Sequence, residues 1–256
     1  MCRHLAWLGP PIELAALLLD PPHSLLRQSY APSNMRGSAV VNADGFGAGW
    51  YANVSASTAD VLPTRYRRAV PIWTDESFAA LAREVRSGAV LAAVRSATVG
   101  MPVVDTACAP FTTGRWLFSH NGMIVGWPGS VAGLAARLPV IDLLTLDAPT
   151  DSALLWALVR HRLAAGASLA GALGAVTAQV LAAAPGSRLN LLLTDGVGLA
   201  ATTVYHALWV RAHDGAVLVC SEPTDQAPGW QPVPDGHLLT ATPSTVDIVP
   251  IPCEEL

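Results

Sequence analysis

The chain has 256 residues, 52% of them hydrophobic and 13% charged, with a formal charge of −4 at neutral pH. At ~100 to 200 residues per domain this is one large domain or two small ones, and so apolar a composition excludes a disordered chain. All fifteen basic residues are arginine and none is lysine; with no basic block to follow a phosphate backbone, nucleic acid is not an expected partner.

The sequence opens Met1-Cys2-Arg3-His4. Cysteine is small enough for a processing aminopeptidase to clip the methionine before it, and the α-amine exposed titrates near ~7.7 to 8.0, low enough to take the thiol proton at neutral pH. Nucleophile and base would then share one residue. By position alone, a cysteine there is more often incidental. Arg3 to Leu8 reads as a strand stopped by Pro10-Pro11, and Glu13 to Leu19 as a short helix. The apolar stretch Leu14 to Leu19 ends at Asp20-Pro21-Pro22, well below the ~18 residues of a membrane span, and too little positive charge precedes it for a secretory signal. A cytoplasmic protein without a membrane partner is expected.

From Val40 to Tyr51 the run Asp44-Gly45-Phe46-Gly47-Ala48-Gly49-Trp50 has alternating glycines that let a strand or bulge lie against another backbone. A phosphate loop would need a helix opening at the glycines, whereas Trp50 to Val54 looks extended. Ser77 to Arg86 reads as a helix ended by Gly88, followed by a strand, Val90 to Val94, that delivers Arg95. Trp116 to Ser119 and Met123 to Val125 flank His120-Asn121-Gly122, and Asn-Gly between two apolar runs is the strongest short signal for a hairpin turn. Ser130 to Leu138, Asp151 to Leu163 and Leu169 to Ala184 read as helices, with Asp151 a candidate cap. Strands follow at Leu189 to Thr194, Leu199 to Tyr205, Leu208 to Arg211, Ala216 to Ser221, Leu238 to Ala241 and Val246 to Pro250. Two largely antiparallel sheets packed face to face, with helices on both outer surfaces, fit this order: an α+β chain. Cys2, Cys108, Cys220 and Cys253 form no CxxC pair, so neither a disulfide framework nor a zinc site is expected.

Cys2, the segment from Arg95 to Gly100, Asn121-Gly122 and Asp151 together hold every group that hydrolysis of a glutamyl side-chain amide requires. A thiolate attacks the carbonyl, and the Asn121 amide with the Gly122 N–H can stabilise the oxyanion. An arginine fork suits an α-carboxylate and a carboxylate suits an α-ammonium, which makes Arg95, assisted by Thr98, and Asp151 the candidates.

On Cys2, Arg95 with Ala97-Thr98 and Gly100, His120-Asn121-Gly122 and Thr150-Asp151-Ser152, in that order, the chain resembles the glutamine amidotransferase-type amidases with an N-terminal cysteine. These are the class II glutaminases among the N-terminal nucleophile hydrolases. The resemblance implies a four-layer αββα sandwich spanning residues 2–256 as one domain after loss of Met1. It makes Cys2 both nucleophile and base and Asn121 and Gly122 the oxyanion hole. Arg95, Thr98 and Asp151 hold the glutamyl head, and neither metal nor cofactor is implied. Ser96 and Val99 depart from the pattern, since amidotransferases often place tryptophan and histidine there.

Longer stretches, from Pro21 to Gln28, from Val41 to Gly47 and from Ala107 to Phe111, are similar to the branch of this family in ergothioneine biosynthesis that removes glutamate from γ-glutamyl-hercynylcysteine sulfoxide. The expected partner is thus a small γ-glutamyl substrate. A homo-oligomer is compatible with the sequence, which fixes no oligomeric state. Trp50, Trp73 and Trp127 are candidates for the leaving-group side, where a trimethylammonium would meet aromatic faces. A glutaminase subunit feeding a separate synthase, and a non-catalytic glutamyl-binding module that keeps Met1, are the alternatives.

Overall fold

A computed structural model describes residues 2–34, 36, 41–52 and 61–252. Met1 and Cys253 lie outside them, as do Val40, Asn53 and Val54 beside the glycine-rich strand. The strands are β1 (Arg3–Glu13), β2 (Phe46–Trp50), β3 (Thr64–Arg68), β4 (Arg86–Val94), β5 (Phe111–Thr113), β6 (Trp116–Met123), β7 (Arg188–Thr194), β8 (Leu199–Thr203), β9 (Trp209–His213), β10 (Ala216–Cys220), β11 (Gln231–Pro232), β12 (His237–Thr242) and β13 (Thr245–Pro250). The helices are α1 (Leu14–Leu18), α2 (Leu25–Gln28), α3 (Glu76–Glu84), α4 (Ala132–Ala135), α5 (Val140–Leu144), α6 (Asp151–Ala164) and α7 (Leu169–Ala183).

One sheet runs β11-β9-β10-β1-β4-β2-β3 and the other β13-β12-β8-β7-β6-β5, with antiparallel pairing throughout the described residues. Alternation of side chains along each strand divides the interior into three apolar layers. Between the sheets, Ala6 and Leu8 of β1 and Ala89 and Leu91 of β4 meet Leu117 of β6 and Leu192 of β7. On the outer face of the first sheet, Leu5, Phe46, Val90 and Ala92 pack beneath α1, α2 and α3 through Leu14, Leu18, Leu25 and Phe78. On the outer face of the second, Phe118, Leu189 and Leu191 pack beneath α6 and α7 through Leu155, Trp156, Leu173 and Val176. The result is the α+β, four-layer αββα architecture.

Three local expectations need correction. Pro10-Pro11 does not end β1: the register to β4 slips between Leu8 and Ile12, and residues without an N–H are tolerated in such an irregularity. Gly88 lies inside β4 rather than before it. Asn121-Gly122 is not a turn, because β6 runs straight through it with Asn121 opposite Asn190 and Gly122 opposite Leu189. The glycine serves close approach, since a Cβ at 122 would collide with the Arg188 carbonyl and the His120 ring. Gly47 plays the role expected of the glycine-rich strand, its missing Cβ making room for the Ala109 carbonyl.

Polar groups also cross the inter-sheet layer. His4 of β1 bonds through Nδ1 to Ser119 Oγ of β6 at 3.2 Å. Burial, reinforced by His120, His206 and Arg3, pushes its pKa down to about 3. His206, whose backbone N–H donates to Asn190 Oδ1, is likewise lowered to about 3, by burial first and then by Arg188 and Arg3. Both rings are neutral in the fold and titrate near ~6.5 once unfolded, so the unfolded chain binds more protons between those values. Stability therefore falls as pH falls through that window. Urea-unfolding midpoints should drop steadily from pH 7 to pH 4, and His4→Asn, which keeps a hydrogen-bonding group for Ser119, should show a shallower decline. An unchanged slope in that variant would refute the assignment.

Candidate active site

Cys2 stands just before β1, with its thiol 3.8 Å from the Ser96 carbonyl. It shares a narrow cleft with Ala93, Arg95, Ala107, Ala109, Phe111, His120 and Ser152. Arg95 follows the end of β4, and its backbone is fixed there: its N–H donates to the Gly45 carbonyl at 2.7 Å, and its carbonyl accepts from Asp44 N–H at 3.0 Å. The Asp44 carboxylate also takes the Ala97 N–H at 2.7 Å. One guanidinium nitrogen of Arg95, Nη1, is buried without a hydrogen-bond partner. A planar cation with a free donor in a cleft is suited to an incoming carboxylate.

Asn121 is fully buried, and neither atom of its side-chain amide makes a hydrogen bond. Leaving both groups desolvated and unpaired costs the fold about 1–3 kcal/mol for each. Asp151 opens α6, but the capping expected of it is done by Thr150, whose hydroxyl accepts the Ala153 N–H. Asp151 instead accepts the Ile124 N–H at 3.1 Å and the Ser152 N–H at 2.7 Å. Thus Cys2 and Arg95 are brought together in the cleft, with Asn121 and Gly122 following His120 on β6, and Asp151 adjoining through Ser152. Thr98 is exposed and does not line the cleft; its carbonyl takes the Met101 N–H at 2.9 Å. Of the three tryptophans, Trp50 fills the core beneath the helices, Trp73 packs edge-on to Tyr30, and Trp127 packs against the α6–α7 core.

The residue after Cys2 anchors it from the other face of the sheet. Arg3 donates to the Cys2 carbonyl at 3.1 Å and to the Asn34 carbonyl at 3.2 Å, and pairs with Glu222 at 2.9 Å. Glu222 also holds His23 at 2.6 Å and the Ser33 N–H at 2.7 Å. Burial opposes its ionisation, but the His23 hydrogen bond and the Arg3 charge outweigh it and hold the carboxyl below its ordinary value. Sequence spacing carries no sign of this pair, whose members are 219 positions apart. Cys108, close enough to feel Cys2 and Arg95, is pushed up to about 11 by burial and stays a protonated thiol.

The class-II glutamine amidotransferase family is matched over residues 13–214, and the chain belongs to this family. It is 42% identical to the γ-glutamyl-hercynylcysteine sulfoxide hydrolase of Mycolicibacterium smegmatis, over 98% of this chain and 100% of that one. It is 41% identical to the hydrolase of the same name from Mycobacterium tuberculosis, over 97% and 96% of the two chains. Among solved structures, a class-II domain protein of Silicibacter pomeroyi superposes with a TM-score of 0.69 at 24% identity, over 98% of this chain and 100% of that one. Glutamine PRPP amidotransferase of B. subtilis superposes at 0.65 with 14% identity, over 98% of this chain and 49% of that one. The two structures share the fold. No helix among the described residues is long and apolar enough to cross a membrane.

Removing the Glu222 charge leaves Arg3 buried without its partner, so Glu222→Gln should cost about 3 kcal/mol of stability at pH 7. Urea unfolding measures it, and a loss below a tenth of that value would show that the anchor is not a stabilising pair.

Proposed function

We propose that this chain hydrolyses γ-glutamyl amides, with γ-glutamyl-hercynylcysteine sulfoxide as substrate and glutamate and hercynylcysteine sulfoxide as products. The observation that carries this reading is one cleft holding the Cys2 thiol and the unpaired Arg95 nitrogen, in a chain 41–42% identical over nearly its whole length to hydrolases named for that substrate.

In this reading residues 2–256 act as one cytoplasmic amidohydrolase domain, with Met1 removed. The α-amine takes the Cys2 thiol proton, and the thiolate attacks the γ-carbonyl. The carbonyl π pair moves onto oxygen, where the Asn121 amide and the Gly122 N–H stabilise it. Collapse breaks the C–N bond as the terminal ammonium protonates the departing amine, leaving a glutamyl thioester on Cys2. Water, activated by the same amine, then releases glutamate. Arg95 holds the α-carboxylate, with Thr98 shaping the turn beyond it, and Asp151 faces the α-ammonium.

The deciding experiment incubates purified protein with γ-glutamyl-hercynylcysteine sulfoxide or with glutamine, and reads the N-terminus and the products by mass spectrometry. The expected result is a chain beginning at Cys2 that releases glutamate much faster from the sulfoxide. Faster turnover of glutamine would assign an ammonia-supplying glutaminase instead, and retained Met1 with no glutamate a binding module. Cys2→Ala should abolish turnover while retaining substrate binding, and Asn121→Ala should lower kcat by about 10²- to 10³-fold.

A further inference from the structure

The cleft contains a second polar pair that the reaction scheme leaves unused. His120 Nε2 lies 3.0 Å from the Arg188 carbonyl and Nδ1 lies 2.9 Å from Ser152 Oγ. A carbonyl only accepts, so Nε2 carries the proton, and in the neutral ring Nδ1 is left as an acceptor. The Ser152 hydroxyl must then donate to His120. Its other acceptor, Asp151 Oδ1, is farther away at 3.4 Å. The backbone fixes this orientation: Arg188 adjoins Gly122 across the β6–β7 ladder, and any side chain at 122 would displace the ring. With its proton committed to His120, Ser152 Oγ has lone pairs left for the cleft that both residues line with Cys2 and Arg95.

An α-ammonium presents three donors. Asp151 supplies charge, but both its oxygens already accept backbone N–H groups, from Ile124 and Ser152. That carboxylate also has to offset the electropositive end of α6 before a cation is favoured there. A second, neutral acceptor beside it completes the set.

We infer that Ser152, oriented by His120, accepts a hydrogen bond from the substrate's α-ammonium and is a specificity determinant for substrates bearing an α-amino group. The inference rests on the γ-glutamyl reading and sharpens it. His120 acts through Ser152 and is a positioning residue.

The test compares two amides of the same amine: the γ-glutamyl amide and the glutaryl amide, which keeps the carboxylate but lacks the α-amino group. Wild-type enzyme should show the lower KM for the γ-glutamyl amide. Ser152→Ala should raise that KM about 10-fold, leave the KM for the glutaryl amide unchanged, and alter kcat little. Ser152→Thr, which keeps the hydroxyl, should restore the wild-type KM. His120→Leu should reproduce the selective loss, and His120→Gln, which can donate to Arg188 and accept from Ser152, should rescue it. Equal KM changes for both amides in Ser152→Ala, or none for the γ-glutamyl amide, overturn the inference while leaving γ-glutamyl hydrolysis intact. A wild-type enzyme that does not distinguish the two amides overturns the γ-glutamyl reading and this inference together.

Discussion

The alternation of side chains along β1 governs the site. Successive residues of a strand face opposite ways, so His4 reaches Ser119 across the inter-sheet layer while Arg3 reaches Glu222 on the opposite face. Cys2 is therefore held twice. Its backbone carbonyl is gripped from one side by the Arg3 guanidinium, and its strand is tied from the other to β6, which carries Asn121. β1 also lies between β10 and β4, a position in which both ladders resist displacement of the chain.

The site carries a cost in unpaired polar groups. His4 Nε2, Arg95 Nη1 and both amide atoms of Asn121 are buried without partners, whereas most buried polar groups in native proteins are bonded. Other buried polar atoms without partners, among them Gln28 Oε1, Thr177 Oγ1 and Trp209 Nε1, lie on elements away from the cleft. The three apolar layers, built from residues such as Leu5, Leu91 and Leu155, offset that loss.

Much of this was legible in the sequence, and the failures have identifiable causes. Short apolar runs located β4, β7, β8 and β10, and the run from Leu169 to Ala184 located α7. Asn121-Gly122 was misread as a hairpin because local turn propensity cannot register that Asn190 and Leu189, far along the chain, supply a ladder there. The prolines of β1 misled for a similar reason, since only the β4 register reveals the slip that accommodates them. Cys2, Arg95 and Asp151 could be singled out by chemical type. The contacts that orient them, His120 with Ser152 and Arg3 with Glu222, join segments 32 and 219 positions apart and leave no mark on either segment alone.

Every ion pair among the described residues uses arginine or histidine as its cation, in keeping with a sequence that contains no lysine. Guanidinium groups remain protonated and unreactive at ordinary pH. No side chain in these 256 residues consequently carries a primary amine. Acylating or carbamoylating reagents, which scatter over the lysines of most proteins, have no side-chain amine to address here.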